Sequence, residues 1–197
     1  PPAYLIIPLV IVFCSGTLAW RERDEGLSEM VDAAPVLEWV LLFGKFVGLG
    51  LVLGLCMTLR MTAGLLAQVV NGHLDFQFER YLQILFGLQL ADYLFFALLA
   101  LVIHVVVNQK HVGYVVVLVA FLFTNAPASL FGVEHNLLVY GSDPGWSYTD
   151  MRGFGPFVGP WLWFKLYWSG WALMLAVVAK LLWVRGKELG VGSRLHL

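Results

Sequence analysis

Charge is what this chain has least of. Asp, Glu, Lys and Arg make up 13% of its 197 residues, about half the share usual in a soluble domain. Positive and negative side chains nearly cancel, at a net charge of −1, so no basic field exists to hold nucleic acid. Cysteine is scarce as well. Cys14 and Cys56 both sit in apolar runs, too few for a disulfide framework and without metal-ligand spacing. No G-x-x-x-x-G-K-[ST] phosphate loop occurs: Gly44-Lys45 is followed by Phe46, and no glycine stands five residues earlier. No H-E-x-x-H occurs either, because the histidines at 73, 104, 111, 135 and 196 are scattered. These absences argue against ATP hydrolysis or zinc-peptidase chemistry within these residues. The chain opens on Pro1-Pro2-Ala3 with no visible signal peptide, and is read as a portion of a longer protein.

What is present is apolar. Hydrophobic residues make up 60% of the chain and the mean hydropathy is +0.81. The apolar residues cluster in runs long enough to cross a bilayer, which takes about 20 residues as a helix. Five spans are expected, over 4–20, 39–70, 81–107, 112–130 and 161–184. The runs are continuous rather than alternating, so the spans read as helices and not barrel strands. Pro8 in the first span is tolerable where neighbours satisfy the freed carbonyl. The predicted fold is an all-α polytopic transmembrane bundle, one membrane domain over residues 1–197.

Orientation follows from Lys and Arg alone. With residues 21–38 on the cytoplasmic side, that side holds Arg21, Arg23, Lys45, Lys110, Lys180, Arg185, Lys187 and Arg194. The opposite side holds Arg80, Arg152 and Lys165, and Arg60 lies within a span. The bias places residues 21–38, the turn 108–111 and the C-terminal tail in the cytoplasm. The outside segment 132–160 is rich in Gly, Pro and aromatic residues. It is expected to be an interfacial anchor in the headgroup layer, with a structured lid as the alternative.

Between the first two spans lies a dense charged island: Arg21 to Asp32 carries seven charges in twelve residues. Leu27, Met30, Val31 and Ala34 fall at i, i+3, i+4 and i+7, one face of a helix. Glu22, Glu25, Glu29 and Asp32 fall opposite, and Pro35 stops the helix. A short amphipathic helix over 24–34 is predicted. Its acidic face suits a protein partner better than anionic lipid; an ordinary solvated loop helix is the plainer alternative.

The stretch "WRERDEGLSEMVDAAPVLEWVLLFGK" resembles the first cytoplasmic loop of type-2 ABC exporter permeases. The residues that carry the resemblance are Glu22, Arg23, Glu25, Gly26, Pro35, Val36, Gly44 and Lys45. In that family the loop docks on an ATPase subunit and transmits its motion to the membrane helices. The resemblance thus implies a coupling role for Glu22, Arg23, Glu25, Gly26, Glu29, Pro35 and Lys45. It also implies a cytoplasmic ATP-binding subunit, with ATP bound there and no cofactor in this chain, and a second permease copy or half. The stretches "HNLLVYG", "YTDMRGFGPF" and "LWFKLYW" are similar to a bacterial subgroup fused to a zinc aminopeptidase-like domain. That implies a bacterial inner membrane as the location. Permeases of this type usually have six spans, and the missing one would precede Pro1.

Inside the expected spans, charges are costly and usually paired. Arg60 lies about 15 Å below the outer end of the second span at 1.5 Å per residue, and Asp92 lies at a similar depth in the third. An Arg60–Asp92 pair is predicted, with separate partners for each as the alternative. Gln89, one turn from Asp92, shares its face; with Gln83, His104 and Asn125 it reads as helix-to-helix glue, the alternative being a path through the bundle, with Asp92 and Gln89 as a polar patch facing a substrate route. Gly44, Gly48, Gly50 and Gly54 form two G-x-x-x-G patterns, expected to let the second helix pack tightly on a neighbour.

The function expected is a membrane permease driven by a separate ATPase. Two other readings stay open. One is a membrane anchor for a peptidase-like domain. The other is an embedded enzyme using Glu134, His135, Asp143 and Asp150, for which neither a nucleophile motif nor metal spacing is present.

Overall fold

The computed structural model describes residues 3–27, 30–31, 34, 36–72, 77–125, 136–149 and 153–183. Among them are five long helices: α1 (Ala3–Asp24), α2 (Glu38–Val70), α3 (Phe78–Val107), α4 (Lys110–Asn125) and α5 (Gly155–Leu181). A single 3-10 turn, Asn136–Leu138, lies between α4 and α5. Helices α2, α3 and α5 are long and apolar enough to cross a membrane, and α4 is shorter. The rest of the expected fourth span, 126–130, lies outside the described residues.

The ends are set by local chemistry. Helix α1 runs past Trp20 and takes in the first charges of the island, because nothing breaks it before Gly26. Gly26 adopts φ +70°, its N–H bonds to Arg23 O at 3.2 Å, and Leu27 N–H reaches Glu22 O at 2.8 Å. That is the Schellman termination, which needs a left-handed residue where glycine is cheapest. Helix α3 ends the same way, with Asn108 at φ 50°. Helix α5 starts at Gly155 rather than at 161. Pro156 stands in its first turn, where the missing N–H costs nothing.

The predicted helix over 24–34 is therefore divided. Asp24 belongs to α1, and Gly26 ends that helix. Helical bonding resumes with Met30 and Val31 N–H on Leu27 O, at 3.1 and 3.0 Å. Val31 and Ala34 turn partly inward, whereas Leu27 and Met30 are exposed. Glu29 and Pro35 lie outside the described residues.

Helix α3 is the centre of the bundle and packs on all four others. Its fully buried Ala97 and Ala100 let neighbouring backbones approach, which matters where lipid removes the hydrophobic driving force between helices. Around them gather Ile7 and Ile11 of α1, Leu49, Leu53 and Met57 of α2, and Val117 of α4. Three glycines make close approaches, and on α2 a Cβ at Gly64 would lie 3.1 Å from the Tyr81 ring. A Cβ on Gly16 of α1 would strike the Tyr114 ring, and one on Gly113 of α4 would lie 2.5 Å from His104 Nδ1. The expected close-packing glycines of α2 do something else. Added Cβ atoms at Gly44, Gly48 and Gly54 would meet nothing, and one at Gly50 would make ordinary contact with Leu94 at 3.5 Å. The buried face of α2 is its leucine row, set at heptad-like spacing, and the glycines lie beside it.

Between Gln83 and Gln89, α3 is wound as a π-helix. The wider turn shifts the side-chain register of everything that follows. Continuous apolar sequence carries no mark of it. Helices alternate in direction, so the ends of α1, α3 and α5 meet the starts of α2 and α4 at one end of the bundle.

Candidate functional site

At that end, three charge-assisted contacts link the island to the helices. Lys45 Nζ donates to Glu22 Oε2 at 2.9 Å, joining α2 to α1. Lys110 Nζ donates to Asp24 Oδ2 at 2.6 Å, and Arg23 Nη1 to Asn108 Oδ1 at 2.6 Å. Both of these fasten the end of α1 to the α3–α4 turn. Within α1, Arg21 Nε donates to Glu25 Oε1 at 3.0 Å. The Lys45 side chain is 10% exposed and its ammonium also lies 5.1 Å from the Trp183 ring centroid. Its charge is thus satisfied by a carboxylate and an aromatic face. A cavity of about 60 Å³ between Val31, Leu42, Lys45 and His104 separates the island from the bundle.

Toward the other end, Asp92 of α3 pairs with Lys165 of α5. The same ammonium lies 3.4 Å from Asp143 Oδ2 and donates to Gly141 O at 2.9 Å. Lys165 is 7% exposed; a lysine so buried persists only when carboxylates and carbonyls replace its water. The segment 139–146 is held over this triad. Trp168 Nε1–H donates to Ser142 O at 3.0 Å and Tyr140 O–H to Phe95 O at 3.3 Å. Burial pushes the Tyr140 phenol above its ordinary range, so it stays a neutral donor. Gly145 N–H closes a turn on Asp143 Oδ1 at 2.9 Å. Further along, Phe154 receives the edges of Trp146 and Tyr148, and Arg80 stacks on Tyr148 at 4.1 Å. The described residues of segment 132–160 are thus tied to α3 and α5 by these contacts. Beneath them, Asp92, Thr124, Asn125, Tyr140 and Asp143 face a cavity of about 310 Å³.

Arg60 Nη1 donates to Gln89 Oε1 at 3.0 Å. The expected Arg60–Asp92 pair is replaced by two separate contacts, Arg60 with Gln89 and Asp92 with Lys165. The depth argument held to within one turn. The π-wound stretch and the third helix decided the rest, by turning Asp92 toward α5.

Of the residues expected to serve coupling, Glu22, Arg23 and Lys45 come together, and Glu25 pairs separately with Arg21 on the exposed side of α1. Sequence reasoning missed Asp24, Asn108 and Lys110 as partners of the island. It also counted Lys165 as a cation of the outer side, although a lysine inside "LWFKLYW" was itself the signal of a buried pair. Asp143, considered for an enzyme, is a partner of that lysine; Glu134, His135 and Asp150 lie outside the described residues.

The family model described as "ABC-2 family transporter protein" matches residues 2–126, which takes in α1 through α4. Comparisons with curated proteins and with solved structures gave no significant match. The matched region holds the charged island, the contacts that fasten it and two of the three helices long enough to cross a membrane, α2 and α3. The chain belongs to the ABC-2 transporter family, as a multi-pass membrane permease component of an ABC transporter.

Proposed function

We propose that this permease is the membrane half of an ATP-driven exporter, and that residues 21–38 receive the motion of a separate cytoplasmic ATP-binding subunit. The observation that carries the reading is the set of three contacts at the end of α1. Glu22, Arg23 and Asp24 are continuous with α1 and bonded to α2 and to the α3–α4 turn. A push on the island is therefore delivered to four helices at once. The exposed Leu27 and Met30 beside acidic Glu25 offer a partner both an apolar and a charged handhold. ATP binds and is hydrolysed on the partner, and this chain supplies the moving helices.

The charge balance supports placing the island in the cytoplasm. Arg21, Arg23, Lys45, Lys110 and Lys180 gather at the island end, as the positive-inside rule requires. A bacterial inner membrane and a fused aminopeptidase-like domain rest on "HNLLVYG", "YTDMRGFGPF" and "LWFKLYW", all beyond the matched residues 2–126.

Co-purification of the full-length protein from its native membranes tests the reading. A phosphate-loop ATPase should accompany the unaltered protein and fall at least roughly tenfold with Gly26→Pro, since proline fixes φ near −65° where +70° is needed. Glu25→Lys should weaken the association too. Absence of any ATPase in mild detergent would overturn it.

A further inference from the structure

Helices α2 and α5 both rest on α3 but leave a groove of about 500 Å³ between them. Helix α2 contributes Trp39, Phe43 and Phe46, and the small residues Ala91, Ala172 and Ala176 of α3 and α5 give it depth. Its rim is exposed, with Phe43 65% and Leu173 69% accessible, so in the membrane it opens sideways to lipid. The groove is apolar along its length and has one charged end. There Lys180, in the last turn of α5, places Nζ 5.7 Å from the centroid of the Trp39 ring. Among the described residues Lys180 makes no ion pair. Every other lysine among the described residues is paired with a carboxylate.

An amphiphile with one anionic end and a slender apolar tail matches that pattern. Indoles such as Trp39 sit at headgroup depth, which puts the ammonium of Lys180 at the level of lipid phosphates. We propose that the α2–α3–α5 groove seats one acyl chain of an anionic phospholipid, with the phosphate held by Lys180. The lipid fills the gap between α2 and α5, so α5 moves with α2 when the island is displaced. The site itself requires only that the chain lies in the membrane; it does not depend on coupling or on export.

The test is photo-crosslinking of the full-length protein in nanodiscs of phosphatidylcholine with one-fifth phosphatidylglycerol, either lipid carrying a diazirine in its acyl chain. Adducts mapped by mass spectrometry should concentrate at Phe43, Phe46 and Ala172. Exposed Leu51, Leu55 and Leu122, away from the groove, are the reference. Lys180→Gln should lower phosphatidylglycerol adducts in the groove roughly fivefold, the effect of about one basic residue at a lipid surface, and leave phosphatidylcholine adducts unchanged. Ala172→Phe should remove both, and a retained gel-filtration profile shows that either variant is folded. Adducts spread evenly over groove and reference positions would overturn the proposal. So would a groove free of adducts while the reference positions label, because a second copy or another protein would then cover it.

Discussion

Lys45, two turns into α2, holds Glu22 near the end of α1 at 2.9 Å, across a gap of 23 residues of sequence. The pair crosses the base of the charged island. It ties α1 to α2 beside the charged residues.

Removing that pair should loosen the join between α1 and α2. Glu22→Gln or Lys45→Met is expected to cost about 1.5–3 kcal/mol, the range for a hydrogen bond to a charged group. Thermal unfolding in detergent measures it. The charge swap Glu22→Lys with Lys45→Glu should recover part of the loss; no recovery would mean that the two side chains act through other partners.

The triad should respond asymmetrically. Lys165→Met leaves Asp92 and Asp143 facing each other without their cation and should cost about 3–5 kcal/mol. Asp92→Asn leaves the ammonium on Asp143 and Gly141 and should cost about 1–3 kcal/mol. Equal losses from the two variants would show that the triad is not an electrostatic unit.

The glycines divide into two classes. Gly113→Ala forces a methyl against His104 and should destabilise by about 1–3 kcal/mol through overpacking. Gly44→Ala and Gly48→Ala meet open space within the chain. They should be neutral or gain up to about 1 kcal/mol of helix propensity. If they instead disrupt assembly without lowering the stability of the single chain, a second permease copy packs on that face.

Gly26 is predicted to tolerate asparagine better than alanine, because its φ of +70° costs an ordinary L-residue about 1–2 kcal/mol. Limited proteolysis of the island reports the difference. Indistinguishable cleavage rates would show that the left-handed termination does not set the path of residues 26–38.

Much of this architecture is legible in the sequence because lipid imposes length and polarity together. The boundaries of α2 and the turn at 108–111 follow directly from where apolar runs meet Lys, Asn and Gln. What sequence could not reveal is register and partner choice. The π-wound stretch at Gln83–Gln89 leaves no compositional trace, yet it decides that Arg60 meets Gln89 while Asp92 turns to Lys165. G-x-x-x-G spacing marked Gly44, Gly48, Gly50 and Gly54, whereas the close approaches are made at Gly16, Gly64 and Gly113, each opposite one ring. A small residue is informative only with its neighbour known, and that neighbour lies on another helix. Lys165 was readable in principle, since a lysine far from either end of an apolar run must find a carboxylate or carbonyl to replace its water.

The most direct test of coupling is a photo-crosslinking amino acid at Met30, which is 73% exposed on the island, in the full-length protein within its own membranes. The expected result is a crosslink to a separate subunit carrying a phosphate loop, with a yield that changes between ATP-bound and nucleotide-free conditions. Crosslinks confined to lipid or to this chain, unaltered by nucleotide, would contradict it.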